Sequence, residues 1–177
     1  MLLAIPVVWL LLNDEYEITL WVFAFAAVTD ALDGFLAKRF RWESELGKAL
    51  DPLADKILLV TAFIALTIVT HVPLWLAIVV VARDLTISFG AIAFRKWFGP
   101  VNGQPTAISK LNTLLQIAYV LVVVGGRAAE QPLPTTIAVL TTLVLVTTIA
   151  SGIDYVSTYI QRALDISRQR GQRESPR

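Results

Sequence analysis

Apolar residues fall in six uncharged runs: Leu2 to Leu12, Ile18 to Thr29, Ile57 to Thr70, Val72 to Ala82 continued by Leu85 to Phe94, Leu111 to Gly126, and Gln131 to Ile153. Each run is read as one helix, giving six. Several runs are shorter than the ~20 residues a helix needs to cross a bilayer, so their helices must extend through polar positions. The extended spans are Ile18 to Ala37, Lys48 to Thr70, Val72 to Lys96 and Pro105 to Gly126. The polar residues so enclosed must face protein or water.

Turn signals separate the helices at Asn13-Asp14, at Pro73 after His71, at Gly99-Pro100 with Asn102-Gly103, at Gly125-Gly126, and at Pro132 with Pro134. The connections are short, as in a compact bundle, and neither a repeat nor an interior linker divides the chain. One domain is expected over residues 1–160, followed by a basic tail over 161–177. The first run starts at Met1 with no charged flank and is short for a crossing. A secretory signal needs a positive n-region and a small-residue cleavage site, which are missing here. The expectation is instead a helix whose beginning lies upstream of this sequence.

Composition makes the surroundings of these helices plain. Of 177 residues, 56% are hydrophobic and 16% charged, against about 25% charged in soluble domains. Mean hydropathy is +0.67, so much of the chain must face lipid. Six crossings take roughly 120 residues and leave no room for a second soluble domain. Lys38, Arg39, Arg41 and Lys48 cluster in the second connection, Arg95, Lys96 and Lys110 around the fourth, and Arg162, Arg168, Arg170, Arg173 and Arg177 in the tail. The alternate loops carry Asp14, Glu15, Glu17, His71, Arg127 and Glu130. By the positive-inside rule the basic regions lie in the cytoplasm. The expected fold is an all-α integral membrane protein, a six-transmembrane-helix bundle with both termini cytoplasmic, in a bacterial cytoplasmic membrane. The basic tail serves as a topology signal that could also attract anionic headgroups.

A net charge of +1 argues against a nucleic-acid partner. With no cysteine and one histidine, carboxylates are the plausible metal ligands and general bases. His71 reads as a solvated residue of a short outer loop, and Asp154 as interfacial.

Four aspartates interrupt two otherwise apolar helices, each costing roughly 2.5–3.5 kcal/mol near a helix centre if ionised. Asp30 and Asp33 are spaced i, i+3 and Asp51 and Asp55 i, i+4, so each pair shares a helix face and an antiparallel hairpin can bring the pairs together. Converging carboxylates suit a hard cation, Mg²⁺, Mn²⁺ or Ca²⁺, with a diphosphate as its natural partner. Two such ions could polarise a phosphoryl centre while one carboxylate takes a proton from an attacking hydroxyl. Phosphoryl or phosphatidyl transfer at a membrane surface follows. Gly34, Ala37 and Gly47 either let helices approach or leave room for a flat ligand. A different class, a cation transporter or channel, would also bury carboxylates, but would need access from both faces.

Residues 30 to 55 read Asp-Ala-Leu-Asp-Gly-Phe-Leu-Ala-Lys, eight residues, then Gly-Lys-Ala-Leu-Asp-Pro-Leu-Ala-Asp. This resembles the CDP-alcohol phosphatidyltransferase signature D-x2-D-G-x2-A-R-x8-G-x3-D-x3-D, departing only at Lys38, where the family usually has Arg. Lysine keeps the charge but lacks the planar fork that grips a phosphate bidentately, and Arg39 could substitute. The resemblance implies that Asp30, Asp33 and Asp51 bind two Mg²⁺ or Mn²⁺ ions and that Asp55 is both a metal neighbour and the general base. It implies that Asp30, Gly34, Ala37, Lys38, Ser44 and Gly47 surround the CDP-alcohol, and it suggests a homodimer. The family's usual amphipathic start, with its Asn-Pro-Asn segment, is not found here.

The signature reads only the CDP-lipid donor. Ala82-Arg83-Asp84 and the stretch Pro105 to Thr113 resemble the CMP-forming cardiolipin synthase branch, whose acceptor is phosphatidylglycerol. The phosphatidylglycerophosphate synthase branch, with glycerol 3-phosphate as acceptor, more typically shows Ala-Arg-Glu and Gly-Lys-x-Lys-Thr there. Arg83 and Lys110 are the candidates to hold the acceptor's phosphate, since buried cations in a bundle need an anionic partner. Alternatively, Arg83 forms a structural ion pair with a neighbouring carboxylate.

Overall fold

The computed structural model describes the backbone of residues 4–40, 45–69, 71–98 and 106–174, and the side chains of 4–29, 32, 57–69, 71–90, 94 and 106–161. Six helices are found among the described residues: α1 (Ala4–Leu12), α2 (Tyr16–Phe40), α3 (Glu45–Ile68), α4 (Leu74–Phe98), α5 (Ala107–Ala128) and α6 (Pro134–Glu174). No strand occurs among the described residues. α6 runs without a break past residue 160 to Glu174.

The three connections α1–α2, α3–α4 and α5–α6 are tight and share one end of the molecule, called here the turn end. Two of them close in the same way. Asp14 and Glu130 take left-handed backbone angles, φ 60° and 53°. Glu15 N–H then reaches Leu10 O at 3.0 Å and Asp14 N–H reaches Leu11 O at 3.3 Å, while Gln131 N–H reaches Gly126 O at 2.9 Å and Glu130 N–H reaches Arg127 O at 3.1 Å. These paired bonds are Schellman caps, which satisfy carbonyls a helix end otherwise leaves open.

The second cap corrects the reading of Gly125-Gly126 as the turn itself. α5 continues through both glycines to Ala128. A Cβ on Gly126 would sit 3.1 Å from Gln131 O, and one on Gly125 would meet Leu20 of α2 at 3.7 Å. Both glycines therefore permit close approach within and beside a helix.

α5 and α6 form an antiparallel hairpin. Along it Asn112 meets Thr147 and Thr148, Tyr119 meets Thr141, and Gly126 faces Leu133. α4 lies parallel to α6, with Arg83 at Ser151, Tyr155 bonding Ile87 O at 2.8 Å, and Phe94 edge-on to Tyr159. α2 packs on α5, and short α1 packs on both α2 and α3. The core at this junction holds Val7, Leu11, Phe23, Phe63, Leu66, Leu76, Val80, Tyr119 and Val144, with Phe63 stacked on Tyr119 at 5.6 Å. α1 is thus part of the core, although its nine residues rise only about 13 Å, less than half a bilayer's hydrocarbon thickness.

Outward, the helices are apolar: Trp21 is 70% exposed, and Phe25, Phe89, Leu114 and Ile153 are also exposed. Threonines among them turn their hydroxyls onto the preceding helical turn, as Thr67 does to Phe63 O and Thr142 to Ala138 O. A surface of this kind belongs against lipid. Among the described residues, α5 and the Pro134–Gln161 part of α6 are long and apolar enough to cross a membrane, whereas Tyr16–Thr29 and Ile57–Ile68 are shorter apolar segments.

Candidate functional site

α2 carries Asp30 and Asp33, then Gly34, Ala37 and Lys38; α3 carries Gly47, Asp51 and Asp55. The side chains of these eight residues, and Ser44 entirely, lie outside the described residues. Their place along the helices is nevertheless informative. Tyr16 at the start of α2 contacts His71 just beyond α3, so the two helices begin and end together at the turn end. At 1.5 Å per residue, the four aspartates fall in one band about 20–26 Å along their helices from that end. An oxygen-only donor set from two such helices has the chemistry of a site for a hard divalent cation. Among the described residues no other group of His, Cys, Asp or Glu offers one.

A second polar centre lies about 28 Å along α5 from Ala128, about 25 Å along α6 from Pro134 and about 14 Å along α4 from Leu74. Arg83, only 7% exposed, is its hub. Arg83 Nη1 donates to Asp84 Oδ1 at 2.6 Å, and Nη2 donates to Ser109 Oγ at 2.7 Å and to Ser151 Oγ. Three consecutive helices, α4, α5 and α6, are thereby tied together at one guanidinium. The ion pair foreseen for Arg83 is present, with Asp84 5% exposed, yet Arg83 Nε is buried without a partner. Lys110 follows Ser109 in the first turn of α5 and is exposed.

Below Arg83 runs a seam that the sequence reading did not single out. Asn112, fully buried, sits between the Thr147 and Thr148 hydroxyls at 2.8 and 2.9 Å. Asn112 Nδ2 and, one turn deeper, Gln116 Nε2 are buried without partners. The signal was available: Ser109, Asn112 and Gln116 are spaced i, i+3 and i+7, one polar stripe on an apolar helix.

His71 requires a correction. It was expected to be a solvated loop residue, but its ring is part-buried at the turn end, with Nε2 2.7 Å from Tyr16 Oη and the rings 5.4 Å apart. Tyr16 donates its single proton to Asp14 Oδ1 at 2.6 Å. His71 Nε2 therefore carries a proton toward Tyr16, and Nδ1 is left buried and unpartnered. Burial first, then the charge of Arg127, pushes the imidazole pKa below its ordinary value, against an opposing pull from Asp14. Tyr16, being the first residue of α2, brings the ring under cover. Asp154 is partly buried on α6.

The chain is 36% identical to the cardiolipin synthase (CMP-forming) of Rattus norvegicus and to that of Homo sapiens, each over 128 residues. These alignments cover 63% of this chain and 42% of each relative, so the chain spans less than half their length. It is 33% identical over 175 residues to the chloroplastic CDP-diacylglycerol–glycerol-3-phosphate 3-phosphatidyltransferase 1 of Oryza sativa, covering 88% of this chain and 53% of that protein. A probable phosphatidylglycerophosphate synthase of Mycobacterium tuberculosis is 29% identical over 147 residues, 82% of this chain and 68% of that protein. The family common to such proteins matches here from residue 1 to 159, across both aspartate helices and the Arg83 hub, and on that match the chain belongs to the CDP-alcohol phosphatidyltransferase family.

Proposed function

We propose that this protein transfers the phosphatidyl group of CDP-diacylglycerol to the free hydroxyl of phosphatidylglycerol, giving cardiolipin and CMP. The observation that carries the reading is the set of four aspartates spaced i, i+3 on α2 and i, i+4 on α3, beside a buried, hydrogen-bonded arginine on α4, which packs on α3. Relatives named cardiolipin synthase (CMP-forming) support the choice of acceptor.

In this reading Asp30, Asp33, Asp51 and Asp55 hold two divalent ions, Mg²⁺ or Mn²⁺. When bound, such ions neutralise the diphosphate and the charge that develops on its oxygens. Gly34, Ala37 and Gly47 leave room for the cytidine portion, Ser44 contacts it, and Lys38 attracts the diphosphate as a point charge. Asp55 takes the proton from the attacking hydroxyl. That oxygen bonds to the phosphatidyl phosphorus as the bond to the CMP oxygen breaks, and CMP leaves. Arg83 and Lys110 hold the acceptor's phosphate, Arg83 from within α4 and Lys110 from the surface. Six membrane-embedded helices, cytoplasmic termini, an active site toward the cytoplasmic face and a homodimer complete the proposal. The transporter reading has no counterpart in a transferase family.

A second reading, with glycerol 3-phosphate as acceptor, is favoured by one fact: the rice and mycobacterial relatives align over 88% and 82% of this chain, more than the mammalian ones. The test is purified protein in detergent with CDP-diacylglycerol and Mg²⁺ or Mn²⁺, offered each acceptor separately, with CMP release followed and Asp55→Asn as control. Cardiolipin made only with phosphatidylglycerol supports the first reading. Product only with glycerol 3-phosphate establishes the second, and CMP release that persists in Asp55→Asn removes Asp55 from the chemistry.

A further inference from the structure

The seam beneath Arg83 asks for a ligand. α5 is one of the two helices apolar enough to cross a membrane, yet its face toward α6 carries two amides, Asn112 and Gln116, at least 99% buried. A buried polar group left unpaired costs roughly 1–3 kcal/mol, and three occur in this region: Arg83 Nε, Asn112 Nδ2 and Gln116 Nε2. All are donors, and Ser109, which accepts from Arg83, shares the α5 face with both amides.

The amides restrict what fills the seam. Two threonine hydroxyls fix one end of the Asn112 amide, and whichever way that amide is turned, its other end is bare. A hydroxyl both donates and accepts, so it satisfies such an end in either orientation. A cation at the top with two amides about 4 and 10 Å further along the helix suits a phosphate joined to a short polyol. We infer that Asn112 and Gln116 read the hydroxyl-bearing carbons of a glycerol phosphate unit whose phosphate lies at Arg83. This inference rests on the acceptor reading of Arg83. The unit is common to the phosphatidylglycerol headgroup and to free glycerol 3-phosphate.

The test uses the near-isosteric variants Gln116→Met and Asn112→Leu, in the full chain, against acceptors with and without one hydroxyl. In one arm phosphatidylglycerol competes with phosphatidyl-1,3-propanediol; in the other, glycerol 3-phosphate competes with 3-hydroxypropyl phosphate. Wild type should prefer the glycerol compound by at least about tenfold in kcat/KM in the arm that carries its true acceptor, because a site built for a hydroxyl rejects an analogue lacking it. Asn112→Leu, which removes the amide nearer the phosphate and so level with the middle hydroxyl, should abolish that preference through KM of the acceptor, leaving KM for CDP-diacylglycerol within about twofold. A structural role alone would lower turnover of both compounds together and preserve their ratio.

Calorimetric titration with glycerol 3-phosphate or phosphatidylglycerol micelles, against their deoxy analogues, needs no turnover and covers variants that fold but are inactive. Hydroxyl-dependent binding by wild type that is lost in Asn112→Leu, with no transfer to any acceptor, would remove the proposed reaction and keep this inference. Transfer by wild type with no hydroxyl preference in either arm, or a preference unchanged in both variants, overturns it.

Discussion

Exchange of the Arg83–Asp84 pair for apolar residues gives the sharpest check on how the α4–α5–α6 junction is held. Both side chains are more than nine-tenths buried and meet at 2.6 Å. Removing one partner takes from the other its close charged contact, a loss of roughly 3–5 kcal/mol, whereas replacing both with apolar groups of similar volume is often near neutral. Arg83→Met and Asp84→Leu should therefore each destabilise by about 3 kcal/mol or more. The double variant should lie within about 1 kcal/mol of wild type, because Ser109 and Ser151 can return their hydroxyls to their own helices. The coupling energy is then several kcal/mol. Reversible unfolding in mixed detergent, followed by the fluorescence of the five tryptophans, measures each corner of the cycle. Single losses that simply add in the double variant, with coupling below about 0.5 kcal/mol, would refute the buried pair. A folded double variant also separates architecture from chemistry: if Arg83 holds the acceptor's phosphate, its acceptor KM rises although its stability does not fall.

Three further outcomes are expected. The depressed pKa of His71 makes protonation oppose folding, so the stability this group contributes is complete above about pH 6.5 and declines as pH falls below it; melting curves between pH 7.5 and 5 should show the decline, reduced in His71→Asn. Glu130→Gly relieves a left-handed non-glycine residue and should raise stability by about 0.5–1 kcal/mol, a gain absent if the cap of α5 forms some other way. Chelation by EDTA should end CMP release and added Mg²⁺ or Mn²⁺ restore it, while undiminished release in chelator would exclude a divalent ion at the aspartates.

The helices and the aspartate pattern could be read directly because both depend on local spacing. Apolar runs fix where helices form, and the i, i+3 and i, i+4 intervals fix which carboxylates share a face. What escaped depended on contacts distant in the chain. Arg83 was visible as a cation in an apolar helix, but its serine partners lie 26 and 68 residues away and no local rule selects them. The cover over His71 comes from Tyr16, 55 residues earlier. Gly125-Gly126 carries a turn signal, and only the packing of Leu20 and the fold-back of Gln131 explain why it stays helical.

In the proposed six-span arrangement, where α4 crosses the bilayer, the adjacency of Arg83 and Asp84 bears on how that helix enters the membrane. Serine partners on α5 and α6 are synthesised after α4, so they are not at hand when α4 first meets lipid. An arginine near the centre of a lone helix resists insertion by roughly 2.5–3.5 kcal/mol. Asp84, next in sequence, travels in the same helix and can meet Arg83 before α5 and α6 have arrived. α4 thus carries its own counterion, and the guanidinium can cross the bilayer boundary as half of a neutral dipole, to be shared with Ser109 and Ser151 once the hairpin of α5 and α6 closes over it.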